Sequence, residues 1–517
     1  ATRSKAVGRR IRVLGRKWCC TSVTKRREHW INIIEIIGVG CAPVWPGVLM
    51  VGYGDWFMKF RGILSASLLS LTVALASSVP ANAQSLSQAL AAAYDHAPDL
   101  QSALIDAKVA AEGIVGAKAG RLPTIGASVG GSYDIALGNS TWTNNSSLNA
   151  GLRYNQTIYD SNLTESQIEL ARAQAEVAEH TLRNAEQRVL FEVVQAYMAV
   201  LGGRELVALR QENLTFFQAQ LKSAEDRLEV GEGTRIDVAQ AQARLASGQA
   251  MYQAARSQLE ADEASFQRLV GMRPQNLSTS HNYANLIPRS LDAAISEAEI
   301  GHPGILLAKA GIRAAQAGSD AAESGFGPTA TITGTAGGQW SQGNRNAALA
   351  VTSSGGLSAS LGFNISVPIY AGGKIGSAVR QANLRQIGAE VSAMGAYDQI
   401  RAAVIAAWTG IQSADAQIQA AQAGVASSRT VLDGVIQERD LGTRTTLEVL
   451  NAQADLTSAR EAQINAGNGK IVATFALLNA MGRLTAQDLG LPVAVKTAVP
   501  YTQAVEDVWQ ELRTVPQ

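Results

Sequence analysis

The sequence predicts an α+β membrane protein in which a β-hairpin and a long antiparallel helical hairpin occur twice along the chain. Three observations support this fold class: an internal repeat of about 205 to 211 residues, two segments in which apolar and polar residues alternate, and long proline-free stretches. Alternation with a period of two is typical of β-strands, whereas uninterrupted runs of Ala, Gln, Glu, Leu and Arg favour helices.

The internal repeat sets the organisation of the chain. Pro328 follows Pro123 by 205 residues, whereas Gly482 follows Gly271 by 211 residues. Because insertions are tolerated in exposed loops, the interval that contains the additional residues is expected to include a loop whose tip faces solvent. The chain is therefore divided into two repeats and a C-terminal tail, at 84–289, 290–491 and 492–517.

Each repeat contains one predicted β-hairpin, at about 124–158 and 329–369. In the second copy Leu357 and Leu361 face one way and Ser358 faces the other. Alternation over about 10 residues is typical of a strand in a membrane barrel. A strand of a soluble β-sandwich has the same pattern, so the alternation alone does not distinguish the two.

Each repeat also contains a predicted helical hairpin. Residues 160 to about 229 contain no proline, and one helix of this length is about 100 Å long. After a turn, a second helix is predicted to begin at Thr234 with a capping box to Asp237, and the same arrangement recurs at Thr445 and Glu448. The helices alone are equally typical of a structural coiled-coil rod. The hairpins are placed at about 160–271 and 374–482.

The strand number has a consequence for assembly. Four strands per chain cannot close a membrane barrel, because about eight is the practical minimum and an open sheet edge is not tolerated in lipid. After residue 83, no segment approaches the roughly 18 consecutive apolar residues that a membrane-spanning helix needs. If the chain crosses a membrane, several copies are expected to complete one barrel.

The first 83 residues are interpreted as two segments outside the folded protein. Residues 58–83 have the charged start, apolar core and small-residue end of a signal peptide, with cleavage expected after Ala83. Because an export signal works at a free N-terminus, residues 1–57 are interpreted as upstream read-through that is not part of the native protein. A membrane helix over 31–51 is the alternative, which Glu35 and two prolines disfavour.

Charge and cysteine content argue against several classes of function. After residue 83 the chain carries 32 Lys and Arg against 40 Asp and Glu, which argues against a nucleic-acid partner. All three cysteines lie within residues 1–57, so no disulfide, lipid anchor or cysteine-ligated metal is expected. The histidines lack the spacing of a metal motif, and no catalytic motif is present. We predict no enzymatic activity, no cofactor and no metal.

Residues 441–453, LGTRTTLEVLNAQ, resemble the helix-turn signature in the second repeat of the TolC family. The similarity to the family plan extends from about residue 85 to residue 491. It implies a homotrimer in the bacterial outer membrane, in which a twelve-stranded β-barrel continues into an α-helical barrel of antiparallel coiled coils in the periplasm. It also implies an export duct that receives substrate from an inner-membrane ABC or proton-driven transporter through a periplasmic adaptor protein.

The cargo of such a duct is less well defined by the sequence. The absence of a lipid-anchor cysteine after the leader resembles the branch of the family that serves type I protein secretion. Multidrug or small-molecule efflux is the alternative, and a structural coiled-coil envelope protein is the alternative from another functional class.

The resemblance also implies roles for residues near the second turn. Glu448 and Asn451 correspond to acidic rings at the pore constriction, although a carboxylate is usual at the second position. Arg444 occupies the position of a gating arginine, and Asp237 corresponds to the acidic residue that it meets across the subunit interface in the closed state. Arg439 stands where the family has a gating tyrosine, so this part of the latch is expected to be missing or rebuilt.

The adaptor is expected to dock at the two turns that end the helical hairpins. Both turns contain glycine, which is equally typical of an ordinary connection between two helices. The residues concerned are Val230, Gly231, Glu232, Gly233 and Thr234 in the first repeat and Leu441, Gly442, Thr443 and Thr445 in the second.

Overall fold

A computed structural model describes residues 84–138, 141–279, 283–344, 351–508 and 510. The interpretations of 1–57 as read-through and of 58–83 as a signal peptide lie outside the described residues, as does the end of the tail. Within the described ranges, no helix is both long enough and apolar enough to cross a membrane.

The helices follow the same order in both repeats. The first repeat contains α1 (Leu86–His96), α2 (Pro98–Lys118), α3 (Leu163–Glu229) and α4 (Arg235–Val270). The second contains α5 (Leu291–Gly301), α6 (Pro303–Glu323), α7 (Lys374–Asp440) and α8 (Thr446–Ala480), followed by α9 (Val499–Val505). Helices α3 and α7 have 67 residues each, which corresponds to about 100 Å.

The strands form one antiparallel meander in the order β1 (Thr124–Gly138), β2 (Thr141–Tyr159), β3 (Thr329–Asn344) and β4 (Val351–Ser366). The register places the apolar residues of neighbouring strands on one face, where Leu152 lies opposite both Ala127 and Ala336. The other face is rich in Ser, Thr and Asn, and there the hydroxyls of Thr335 and Ser360 lie 2.7 Å apart. Strands β1 and β4 are the outer strands of this sheet.

Each long helix begins after a turn that needs left-handed backbone. Ser161 and Asn162 adopt φ values of 55° and 69° before α3, and Gly372 and Gly373 adopt 60° and 83° before α7. Glycine adopts this conformation without strain, whereas other residues do so at a cost. In the first repeat the Ser161 hydroxyl donates a 2.8 Å hydrogen bond to the Pro328 carbonyl, which ties this turn to the second repeat.

The main core holds both repeats together where the middle of α3 meets the C-terminal ends of α4 and α8. It contains Tyr94 of α1, Tyr197 of α3, Phe266 of α4 and Phe475 of α8, each less than 2 % exposed. Burial of a large side chain contributes about 2 to 3 kcal/mol. Because α4 has 36 residues, the turn that precedes it lies about 50 Å from this core along the helix.

Helix α3 continues through Gly202 and Gly203, where the surrounding helices approach it closely. A Cβ atom at Gly202 would collide with the side-chain amide of Asn468 in α8, and one at Gly203 would lie 3.2 Å from Leu259 Cδ1 in α4. Glycine inside a helix costs about 1 kcal/mol relative to alanine, and here it allows close packing of three helices.

Candidate functional site

The turn between α3 and α4 closes the first helical hairpin. Gly231 adopts a φ of 82°, and the Gly233 N–H donates to the Arg227 carbonyl at 2.9 Å. The Thr234 hydroxyl accepts the Asp237 N–H at 3.2 Å, while the Asp237 carboxylate accepts the Thr234 N–H at 3.1 Å. The predicted capping box is therefore confirmed, and it fixes where α4 begins.

The turn between α7 and α8 is built in the same way. Gly442 adopts a φ of 81°, and both the N–H and the hydroxyl of Thr443 donate to the Glu438 carbonyl, at 3.0 and 2.8 Å. The Glu448 carboxylate accepts the Thr445 N–H at 2.8 Å, and the Thr445 hydroxyl accepts the Glu448 N–H at 3.3 Å. The second predicted capping box is also confirmed.

Arg444 adds an ion-pair cluster to the second turn. Its guanidinium donates to Glu438 Oε2 at 2.7 Å and to Glu448 Oε1 at 2.9 Å. These bonds hold the pKa of Arg444 above its ordinary value. The Thr445 N–H, and after it the Arg444 guanidinium, hold the pKa of Glu448 below its ordinary value. The capping carboxylate therefore stays ionised, with part of its charge compensated locally.

The predicted pair between Arg444 and Asp237 concerns two different subunits. Within one chain, Arg444 binds Glu438 and Glu448, and Asp237 binds Thr234. The latch across the subunit interface therefore stays a prediction.

Arg439 connects the second helical hairpin to the first. Its guanidinium donates to Gln220 Oε1 in α3 at 2.8 Å and to Asp440 Oδ1 at 2.7 Å. The side chain is only 11 % exposed. At the position to which the resemblance assigns a gating tyrosine, Arg439 thus joins α7 to α3 within the same chain.

Asn451 takes part in a contact that the sequence did not suggest. Its Oδ1 accepts a 2.6 Å hydrogen bond from Nη2 of Arg244 in α4. The bond joins α4 and α8 near their N-terminal ends. Arg244 follows Asp237 by seven residues, or two helical turns, and therefore lies on the same face of α4. This spacing is the only sequence signal that could have linked Arg244 to the site.

Further polar pairs continue this junction along α3 and α8. The buried amides of Asn213 and Gln453 are joined by a 3.1 Å hydrogen bond, and Arg460 binds both carboxylate oxygens of Glu212 at 2.9 Å. An ion pair between Arg210 and Glu461 follows. Polar pairs thus recur across the α3–α8 interface over several helical turns, beside an apolar cluster to which α3 contributes Phe216 and α8 contributes Leu456.

The two turns expose apolar side chains at the end of the hairpins. Val230 is 71 % exposed and Leu441 is 81 % exposed, and the two residues occupy the same place in their repeats. Both residues lie within the turns at which the adaptor is predicted to dock.

In the described part of the chain, no group of three or more His, Cys, Asp or Glu residues is arranged to hold a metal ion. His302 caps α6, where its Nδ1 accepts the Gly304 N–H at 3.0 Å. Burial lowers the pKa of His302, and a hydrogen bond with the Asn479 backbone opposes this shift.

Comparison with known proteins identifies the family. Residues 89–272 and 294–483 match the family described as Outer membrane efflux protein, one stretch in each repeat. Together they cover more than half of the 517 residues. The chain belongs to this outer membrane efflux protein family. The resemblance to the TolC family is thereby confirmed.

Individual members of the efflux family are similar over most of the chain. The outer membrane efflux protein BepC of Brucella suis is 36 % identical over 454 residues, which cover 87 % of this chain and 96 % of BepC. The alkaline protease secretion protein AprF of Pseudomonas aeruginosa is 26 % identical over 62 % of this chain and 67 % of AprF. The crystal structure of the Campylobacter jejuni outer membrane channel CmeC has a TM-score of 0.66, with 18 % identity over 82 % of this chain and 89 % of CmeC.

Family membership confirms two predictions made from the sequence. The fold class is that of an α+β outer-membrane channel subunit, with four strands and paired long helices in the described part of the chain. The location in the outer membrane follows from the family and its members. At the level of the family, the function is that of an efflux or secretion channel and not that of an enzyme.

Proposed function

We propose that three copies of this chain form an export duct, which passively conducts substrate from an inner-membrane transporter and a periplasmic adaptor to the cell exterior. One observation carries the proposal: the chain combines an open four-stranded sheet that has one apolar face with two helices of about 100 Å. Such a sheet satisfies its outer strands in lipid only when copies join.

The sheet supports a barrel of twelve strands from three copies. Twelve lies within the range of even strand numbers found in outer-membrane barrels. On the apolar face, Ile125, Val129, Leu361 and Phe363 are all largely exposed, as expected for side chains that contact lipid. The opposite face, rich in hydroxyls and amides, is suited to a water-filled interior.

Helix α7 supports a contact between copies in the helical part. Leu384, Ile387, Val391 and Met394 are exposed and follow the spacing of a coiled-coil seam. We assign this stripe, named here the α7 seam, to contact with a neighbouring copy.

The turns provide a constriction and a gate in this assembly. Glu448 and Asn451 are placed at the constriction, and Arg444 is the latch residue that meets Asp237 of a neighbouring copy. Within its own chain, Arg444 already has two carboxylate partners. Exposed ion pairs contribute at most about 1 kcal/mol. An exchange of partners by Arg444 therefore requires little free energy, which suits a gate that opens and closes.

The exposed turns are proposed as the docking site of the adaptor. Val230 and Leu441 offer exposed apolar contacts. Gly231 and Gly442, which follow them, adopt the positive φ that each tight turn requires. Two such turns per chain would give a trimer six docking positions, three of each kind.

The cargo is proposed to be a protein secreted by a type I system. The name of the relative AprF refers to secretion of a protease, which supports this cargo. The name of the relative BepC refers to efflux, which supports small molecules as the second candidate. Deletion of the gene separates the two, because type I secretion predicts loss of a protein from the medium and efflux predicts increased drug sensitivity.

The duct itself is tested by single-channel conductance in planar bilayers. The purified protein should form a pore with a low closed-state current, and Arg444→Ala should raise that current because the latch is lost. Arg235→Ala removes an exposed arginine at the start of α4, after the first turn, and should leave the current unchanged. An unchanged current in Arg444→Ala would remove the latch, and a protein without any conductance would favour a structural coiled-coil role.

A further inference from the structure

One face of α8 carries a polar stripe that begins at the second turn. Glu448, Asn451 and Asp455 follow one another at intervals of three and four residues, so they lie on the same face of the helix. The adjoining face of the helix is buried, with Val449 0 % exposed and Leu456 4 % exposed. Asn451 and Asp455 are exposed and Glu448 is partly exposed, so the stripe remains open to solvent in the single chain.

Arg244 joins this stripe at its middle position. Its Nη2 atom donates to Asn451 Oδ1 at 2.6 Å, from a helix of the other repeat. Among the described residues, Arg244 forms no ion pair with a carboxylate. Arg439 and Arg444 differ in this respect, because each binds at least one carboxylate.

The partner of Arg244 determines the net charge at the level of residue 451 along α8. An asparagine oxygen accepts a hydrogen bond but supplies no negative charge, so the contact leaves the guanidinium charge uncompensated. A carboxylate at residue 451 would give a neutral pair. With asparagine there, the level between Glu448 and Asp455 carries one positive charge per chain.

We propose that Arg244 sets the ion selectivity of the constriction. The channel then admits anions and anionic groups of its cargo more readily than a channel with two acidic rings. This inference rests on the proposed function, since it requires the stripe on α8 to line a pore. In a trimer, three guanidinium groups would form a cationic ring next to the carboxylates of Glu448. Charged rings in a narrow pore act on passing ions through their field.

The alternative role for Arg244 is purely structural, namely to hold α4 and α8 together through its hydrogen bond to Asn451. Replacement by glutamine separates the two roles, because glutamine keeps a hydrogen-bond donor but has no charge. Asn451→Asp acts from the other side, since it keeps the contact and neutralises the same level. Both single variants should shift selectivity by the same amount, and the double variant should shift it further in the same direction.

The experiment measures the reversal potential of the purified channel across a KCl gradient. Arg244→Gln and Asn451→Asp should each raise the ratio of cation to anion permeability about threefold, for charges several ångströms from the ion at roughly 0.1 M salt. Arg268→Gln removes an exposed arginine from the same helix, 24 residues away, and should leave the ratio unchanged.

Two negative results have different meanings. If the wild-type protein conducts but neither Arg244→Gln nor Asn451→Asp changes the reversal potential, Arg244 does not face the pore and the assignment is wrong. If the wild-type protein does not conduct at all, the proposed function fails and this inference fails with it. A shift of equal size in Arg268→Gln would also overturn the assignment, because the effect would then be one of total charge.

Discussion

Helices α3 and α7 occupy the same place in their repeats and have the same length, yet their surroundings differ. Among the described residues, 21 side chains of α3 are buried, compared with 6 of α7. Helix α3 packs against α1, α2, α4, α6 and α8, whereas α7 packs mainly against α5, α6 and α8 and touches α3 near the hairpin turn. The two helices therefore have similar backbones and different neighbours.

The residues on the less covered helix show what this difference means. Leu384 and Ile387 of the α7 seam are exposed, whereas Ala173 is buried and Glu176 binds Arg313 at the equivalent positions of α3. An apolar stripe without a neighbour in its own chain is typical of an interface between copies. The comparison thus shows that α3 is covered by its own chain, and it supports the proposal that a neighbouring copy covers α7.

A charge in the α7 seam should have the largest effect. Val391 is 57 % exposed in the single chain, so Val391→Asp should not disturb the chain itself. In an assembled interface, an unpaired buried carboxylate costs about 3 kcal/mol or more per copy. We expect light scattering in detergent to show monomers. Ser392→Asp, one residue further, should remain trimeric, and a trimeric Val391→Asp would place the interface elsewhere.

A truncation in the core of α3 should have the next largest effect. Leu182 is 0 % exposed, and Leu182→Ala should lower the free energy of unfolding by about 3 kcal/mol. In the monomeric Val391→Asp background, Leu384→Ala should cost less than about 1 kcal/mol because that side chain is exposed there. Urea unfolding measures both, and equal losses would contradict the contrast between the helices.

The two hairpin turns should respond alike to loss of glycine. Gly231 and Gly442 have φ values of 82° and 81°, and alanine in this conformation costs about 1 kcal/mol. We expect Gly231→Ala and Gly442→Ala to lower the unfolding midpoint in urea by similar amounts. A much larger loss for Gly442→Ala would mean that the Arg444 cluster also depends on this backbone conformation.

The smallest expected effect concerns the ionisation of Glu448. Its pKa lies below the ordinary value, first because of the Thr445 N–H and then because of Arg444. The stabilising contribution of this carboxylate is therefore present at neutral pH and is lost as the pH falls through the lowered pKa. In Arg444→Gln, an NMR titration should show that the pKa of Glu448 has risen only part of the way to its ordinary value, because the hydrogen bond from the Thr445 N–H persists. Arg439→Gln should leave that pKa where it is.

The turns and caps of this protein could be predicted from the sequence because their bonds are local. The box between Thr445 and Glu448 spans three residues, so the residue types alone indicate it. The alternation in β4 likewise predicts which side chains share a face, because successive side chains of a strand point in opposite directions.

The contacts between repeats could not be predicted in this way. Arg244 and Asn451 are 207 residues apart, and Arg439 and Gln220 are 219 residues apart. Both pairs depend on how the helices are rotated and how closely they approach, which the close packing at Gly202 illustrates.

By itself, the sequence determined the repeated α+β plan and the position of both hairpin turns, and it predicted that several copies complete one barrel. Only the tertiary structure decided that Asn451 accepts a hydrogen bond from Arg244 of α4 near the second hairpin turn and that Arg439 binds Gln220 of α3. The physical reason is that capping and strand alternation follow from neighbours in the chain. The charge at a given level of the helices depends instead on which distant side chains packing brings together.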